Sequence, residues 1–139
     1  FHLQVIIKDD IPYIIDVTRR IPGDFYPYLI EYCDKINYSE VVVRSYIGLP
    51  LNIEFDFTKN QDFVIRHCVM ANKNGTFKEI KIDENLKHQV IFRIDLMSQN
   101  TIVKNFLTDQ IAIVFIKLPV KDESVVKNIN KLIQAIIVS

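Results

Sequence analysis

An α+β fold is predicted for this 139-residue chain by three observations. The chain opens on two β-branched and aromatic runs divided by a short polar turn. Two helix-like segments follow. A series of strand-like runs then ends near one strongly periodic helix. Strands and helices in separate blocks differ from the strict alternation of a parallel βαβ protein.

Leu3 to Lys8 and Pro12 to Val17 are rich in residues that suit strands. Lys8-Asp9-Asp10-Ile11 between them reads as the turn of a β-hairpin, and Pro12, which has no N–H, fits the first position of a strand. Arg19-Arg20-Ile21-Pro22-Gly23-Asp24 reads as a loop. Asp24 is positioned to cap a helix over 25–35 that tolerates Pro27 in its first turn. Ser39 is positioned to cap a second helix over 40–47, ended by Gly48-Leu49-Pro50. The stretch 52–62 has no clear period. Phe63 to Ala71 and Thr76 to Ile82 flank Asn72-Lys73-Asn74-Gly75, and Asn-Gly is a strong turn signal, so a second hairpin is expected. His88 to Leu96 reads as a strand, Met97 to Asp109 as an exposed loop and Ile111 to Leu118 as a buried strand. Asp122 is positioned to cap a helix from Glu123 to about Gln134, with Val125, Val126, Ile129, Leu132 and Ile133 at helical spacing. Ala135 to Val138 reads as a short last strand.

Composition limits the function classes. With 49% hydrophobic and 24% charged residues the chain is not disordered. Seventeen basic and seventeen acidic residues cancel, leaving no electrostatic footprint for nucleic acid or an anionic membrane. No apolar run approaches the ~20 residues of a spanning helix. No signal peptide is visible, and a cytoplasmic location is expected. Cys33 and Cys68 lack metal-ligand spacing and read as buried reduced thiols. Gly23, Gly48 and Gly75 are too few for a glycine-rich phosphate loop. The chain begins at Phe1, inside strand-like sequence, which points to the carboxy-terminal piece of a longer protein.

One constellation carries chemistry. With the turn centred on Asp10, Leu3 faces Val17, Val5 faces Ile15 and Ile7 faces Tyr13, an apolar face that must meet a core. The other face pairs His2 with Thr18, Gln4 with Asp16, Ile6 with Ile14 and Lys8 with Pro12. Arg20 joins that face if the extended conformation continues. Opposed side chains have Cβ atoms roughly 4.5–5.5 Å apart. An amide oxygen and a carboxylate placed so can share a hard cation such as Mg²⁺, and an Arg can bind phosphate or carboxylate bidentately. Gly23 permits close backbone approach to a ligand. The bland reading stands beside this one: Asp, Thr and Arg on one face of a hairpin are most often its solvated side.

At these residues the sequence resembles ATP-grasp ligases. Phe1-His2-Leu3-Gln4-Val5 followed by Tyr13-Ile14-Ile15-Asp16-Val17-Thr18-Arg19-Arg20 is similar to the end of their nucleotide site, where an acid or Gln on one strand precedes an acid-x-Asn-x-Arg strand. Arg20-Ile21-Pro22-Gly23-Asp24 looks like the carbamoyl-phosphate-synthase-like or formate-dependent purine-type branch. The run from Phe63 onward is similar to the small β-rich subdomain closing many of these enzymes. The resemblance implies that 1–50 ends the nucleotide and metal site and that 51–139 is this subdomain with a terminal helix. It assigns Gln4, Asp16 and Thr18 as Mg²⁺ ligands bridging ATP phosphates, with Thr18 in the place of the usual Asn. It assigns Arg20 to the transferred phosphate, and Gly23 and Asp24 to the acceptor pocket. ATP and a small-molecule carboxylate are the implied partners. The implied reaction is carboxylate activation to an acyl phosphate and attack by an amine or similar nucleophile, with the 139 residues alone inactive. A homo-oligomer is compatible with it. The alternatives are a non-catalytic interaction domain, working through the hairpin face or the 97–109 loop, and an ATP-grasp pseudoenzyme.

Other candidates carry less. Adjacent His67 and Cys68 point to opposite faces of a strand, and Cys33 and His88 are far off in sequence. Glu54 and Asp56 would share a face if their segment were a strand, but read as a solvated pair. Tyr26, Tyr28 and Tyr32 read as helix packing, and Lys121-Asp122-Glu123 as a solvated helix start.

Overall fold

The computed structural model describes residues 2–51 and 62–139. Glu54 and Asp56 lie outside the described residues. The chain divides into two compact units, Phe1–Asn60 and Gln61–Ser139.

In the first unit, β1 (His2–Lys8) and β2 (Ile11–Thr18) form a two-stranded antiparallel sheet. Asp9 and Asp10 turn the chain with φ of 51° and 60°. Two left-handed residues make the two-residue turn whose twist matches a hairpin, and Asp tolerates that conformation better than most residues. The face expected to meet a core does not: Leu3, Val5, Ile7 and Val17 are all exposed. Among the described residues β1 and β2 pair only with each other, so no further strand extends the sheet.

Helix α1 (Tyr26–Asp34) does not begin on an Asp24 cap. Asp24 and Phe25 are both left-handed, at φ 55° and 60°, which moves the capping position to Phe25, and no side chain caps this end. Pro27 sits in the first turn, where its missing N–H costs nothing. Helix α2 (Tyr38–Tyr46) is capped by Asn37, whose side chain accepts from the Glu40 N–H at 3.0 Å. The helix therefore starts two residues earlier than expected, and Ser39 falls inside its first turn. It ends as the sequence implies. Gly48 takes φ 71° and the Leu49 N–H reaches the Arg44 carbonyl at 2.9 Å, a Schellman closure.

The second unit is built on β7 (Gln110–Leu118), where Ile111 through Ile116 and Leu118 are buried. β7 is the middle strand of an antiparallel sheet, between β3 (Phe63–Met70) and β5 (Val90–Asp95). A second sheet holds β4 (Gly75–Ile82) between β6 (Ile102–Val103) and β8 (Ile133–Val138). Val69, Val114, Ile116 and Leu118 of the first sheet join Phe77, Val103, Ile133 and Ile137 of the second in one core. Helix α4 (Glu123–Leu132) adds Val125, Ile129 and Leu132. Asp122 caps it as predicted, its carboxylate accepting from the Ser124 and Val125 N–H groups. Leu132 passes straight into β8 with no loop between.

The structure departs from the sequence reading at four places. β3 and β4 are not a hairpin, because they belong to different sheets. The Asn74 side chain accepts from the Phe106 N–H at 3.0 Å, and Gly75 has φ 146°, so 71–74 is a corner between sheets. The 97–109 loop is interrupted by β6, whose Val103 is only 1% exposed. A short helix, α3 (Glu84–Lys87), precedes β5 and buries Leu86. Cys33 and Cys68 are free thiols but half-buried rather than buried. His67 is buried, and burial pushes its imidazole pKa down. No helix among the described residues is long and apolar enough to cross a membrane.

The asymmetry between the units is measurable by urea unfolding. Ile116→Ala removes a side chain with no exposure and should cost about 2–5 kcal/mol. Ile7→Ala, at a position 69% exposed, should change stability by less than about 0.5 kcal/mol. Gly75→Ala should destabilise by roughly 1–3 kcal/mol on backbone strain alone. Its Cβ would also lie 2.5 Å from the Val138 carbonyl oxygen.

Candidate functional site

The site is assembled by the register of the first hairpin. The two-residue turn places Lys8 opposite Ile11, Ile7 opposite Pro12, Ile6 opposite Tyr13 and Val5 opposite Ile14. Continued unchanged, that ladder would set Gln4 against Ile15 and turn Asp16 to the other face. A bulge between Gln4 and Val5 absorbs Ile15 instead. Gln4 then lies opposite Asp16, Leu3 opposite Val17 and His2 opposite Thr18. The expected pairing therefore holds at the open end of the hairpin and fails near the turn. The difference is a turn of two residues in place of one centred on Asp10. Bulges commonly re-aim side chains beside functional sites.

His2, Gln4, Asp16 and Thr18 thus share one face, by alternation along each strand. Gln4 and Asp16 are exposed, and the Thr18 hydroxyl lies 3.4 Å from His2 Nδ1. Tyr13, expected on the opposite face, joins this one through its pairing with Ile6. The only signal for that in the sequence is the length of the turn.

Arg20 does not continue the strand. β2 ends at Thr18, the chain bends at Arg19 and Arg20, and the Arg20 guanidinium donates to the Ile21 carbonyl at 3.3 Å. It also passes over Gly23, whose absent Cβ would lie 3.9 Å from Arg20 Nη1. Gly23 does not have positive φ, and a Cβ there would make only ordinary van der Waals contact, so neither backbone nor space demands glycine at this position. Asp24 is exposed beside it.

Arg19, Arg20 and Ile21 face α2 across a hollow of about 610 Å³, walled on the helix side by Tyr38, Val41, Val42, Ser45 and Tyr46. Sequence reading missed this hollow. The spacing of those five positions along one helix face was its only trace. The Glu31 carboxylate ties α1 to α2, accepting from the Ser39 N–H at 3.0 Å and the Ser39 hydroxyl at 2.8 Å. The Ser39 backbone bond, then its hydroxyl bond, hold the Glu31 pKa below the usual carboxylate value. Tyr26 and Tyr28 are exposed rather than packed, and the Phe25 and Tyr28 rings lie 5.9 Å apart. The Lys35 ammonium lies over the Tyr32 ring, 4.2 Å from its centroid.

The donors at the hairpin suit a hard cation. Gln4 offers an amide oxygen, Asp16 a carboxylate and Thr18 a hydroxyl. Mg²⁺ takes a few such oxygens and completes its shell with water and phosphate. No group of three or more His, Cys, Asp and Glu residues fit to hold a metal exists among the described residues. Any ion here therefore depends on the amide, the hydroxyl and substrate oxygens beside the single carboxylate.

No protein-family model and no curated protein matches the chain. Among the solved structures that share its fold are two enzymes. Phosphoribosylglycinamide synthetase from Anaerococcus prevotii is 20% identical with TM-score 0.70, over 98% of this chain and 36% of that one. L-amino acid ligase from Bacillus licheniformis is 17% identical with TM-score 0.75, over 99% of this chain and 37% of that one. The fold is shared with ATP-grasp ligases. The chain spans little more than a third of the length of either.

The Glu31–Ser39 tie has a defined pH dependence. A folded pKa below the ordinary value of 4.5 means its stabilisation is complete above that pH. It is lost as pH falls through the lower folded value. Thermal melts of the wild type and Glu31→Gln from pH 7 down to pH 3 should converge at the acid end, and Ser39→Ala should behave like Glu31→Gln.

Proposed function

We propose that the chain is part of an ATP-dependent ligase of the ATP-grasp type, which joins a carboxylate to an amine or related nucleophile through an acyl phosphate. The observation that carries this reading is the opposition of Gln4 and Asp16, with Thr18 on the same face, at the open end of the hairpin. The shared fold of the two ligases supports it. Residues 1–50 supply the end of the nucleotide and metal site, and 51–139 the β-rich closing subdomain. The Arg20-Ile21-Pro22-Gly23-Asp24 run favours the carbamoyl-phosphate-synthase-like or formate-dependent purine-type branch.

Gln4, Asp16 and Thr18 would hold Mg²⁺, which when bound neutralises charge developing on the transferred phosphoryl group. Asp16 contributes the only full negative charge among the three, so it sets the attraction for the ion. Gln4, opposite it, adds an oxygen without adding repulsion. Arg20 offers guanidinium donors to the phosphate as it passes to the carboxylate. Gly23 and Asp24 would border the acceptor. The groups that grip adenine lie elsewhere in such ligases, so these 139 residues alone should neither hold ATP tightly nor turn over.

A second reading has its own observation. Leu3, Val5 and Ile7 form an exposed apolar row on β1 that a protein partner could cover. A non-catalytic interaction domain, or a pseudoenzyme without metal binding, would use that row and have no need of Asp16.

Kinetics and melting of the ligase that carries this chain separate the readings. Asp16→Asn and Arg20→Ala should each lower kcat/KM by about 100-fold or more. Both are exposed, so Tm should hardly move. Chelation of Mg²⁺ should abolish activity. Variants that lose stability, in a protein with no ligase activity to begin with, would favour the interaction domain.

A further inference from the structure

We propose that the hollow between the Arg19–Arg20 bend and α2 is a binding site for a monocarboxylic acid with an apolar body. In an extended strand Arg19 and Arg20 would point to opposite faces. Because β2 ends at Thr18 and the chain bends there, both line the same hollow. Arg20 is lightly engaged, by its own neighbour's carbonyl at 3.3 Å. Arg19 makes no hydrogen bond or ion pair among the described residues. No described residue of the wall is acidic. The nearby Arg44, by contrast, is already paired with Glu40 at 2.6 Å. Two guanidiniums with no carboxylate among the described lining residues, in a chain whose net charge is zero, form a local excess that an anion would balance.

The rest of the wall describes the remainder of the ligand. Tyr38, Val41, Val42, Ser45 and Tyr46 recur at helical spacing, so α2 presents one continuous stripe to the bend. The stripe carries two valines and two tyrosines, with the Ser45 hydroxyl among them. A bare inorganic anion would gain from the arginines and nothing from this stripe. A carboxylate on a branched or aromatic body would use both, its head held in the fork of a guanidinium and its body shielding apolar surface. Identifying this acid as the substrate that the ligase activates rests on the function proposed above. The binding itself does not.

The test is binding to the chain without nucleotide or metal, followed by NMR shift titration. 3-Phenylpropionate should bind saturably and shift amides of Arg19 and α2. Acetate and inorganic phosphate should bind at least tenfold more weakly. Arg19→Gln should weaken 3-phenylpropionate by about tenfold, and Tyr46→Ser, at an exposed position, by severalfold. Binding equal to the wild type in both variants would overturn the site. So would phosphate or acetate binding as tightly as the aromatic acid, or no saturable binding. Failure of the Asp16→Asn assay leaves this measurement untouched, so the two proposals fail separately.

Discussion

A single extra residue in β2 decides which side chains of the first hairpin share a face. The Asp9-Asp10 turn sets one register from Lys8 to Val5, and under that register alone Asp16 and Gln4 would lie on different faces. The bulge at Ile15 shifts the ladder by one, and from Gln4 to the open end every pair changes partner. Because strand side chains alternate with a period of two, a one-residue slip moves a side chain to the other face. The amide, the carboxylate and the Thr18 hydroxyl come together through that slip.

The two units hold together by different means. The second has a strand buried on both faces. Val114 and Ile116 point into the shared core, while Phe115 turns the other way and meets Phe92 at 5.9 Å between ring centroids. The first has no comparable centre among its described residues. Its hairpin relies on ladder hydrogen bonds and turn geometry, and its helices on the Asn37 cap, the Glu31–Ser39 tie and the Schellman closure at Gly48. A two-stranded ribbon by itself is marginally stable in water. Exposed oxygen donors on such an element stay open to solvent, at a cost in local rigidity.

The helix starts show how local signals misplace a boundary by one or two residues. Asp24 and Ser39 have the residue types of good caps, yet neither is one. Asp24 precedes a second left-handed residue, so the cap falls on Phe25. Ser39 is drawn to the Glu31 carboxylate, while Asn37, a cap of equal chemical merit, takes the helix end. Asp122 faces no such competitor and caps α4 where its sequence places it.

The sequence by itself determined the α+β class, the hairpin, the β7 core strand and the capped α4, because each rests on local periodicity and turn chemistry. A turn centred on Asp10 also predicts the Gln4–Asp16 pairing, but the structure reaches it through a two-residue turn and a bulge instead. Only tertiary structure decided that β3 and β4 part into two sheets, a choice made by the partners β7 and β8 and by the tight approach of Gly75 to Val138. It likewise decided that Arg19 and Arg20 face one hollow, because a bend, unlike a strand, has no period from which side-chain direction can be read.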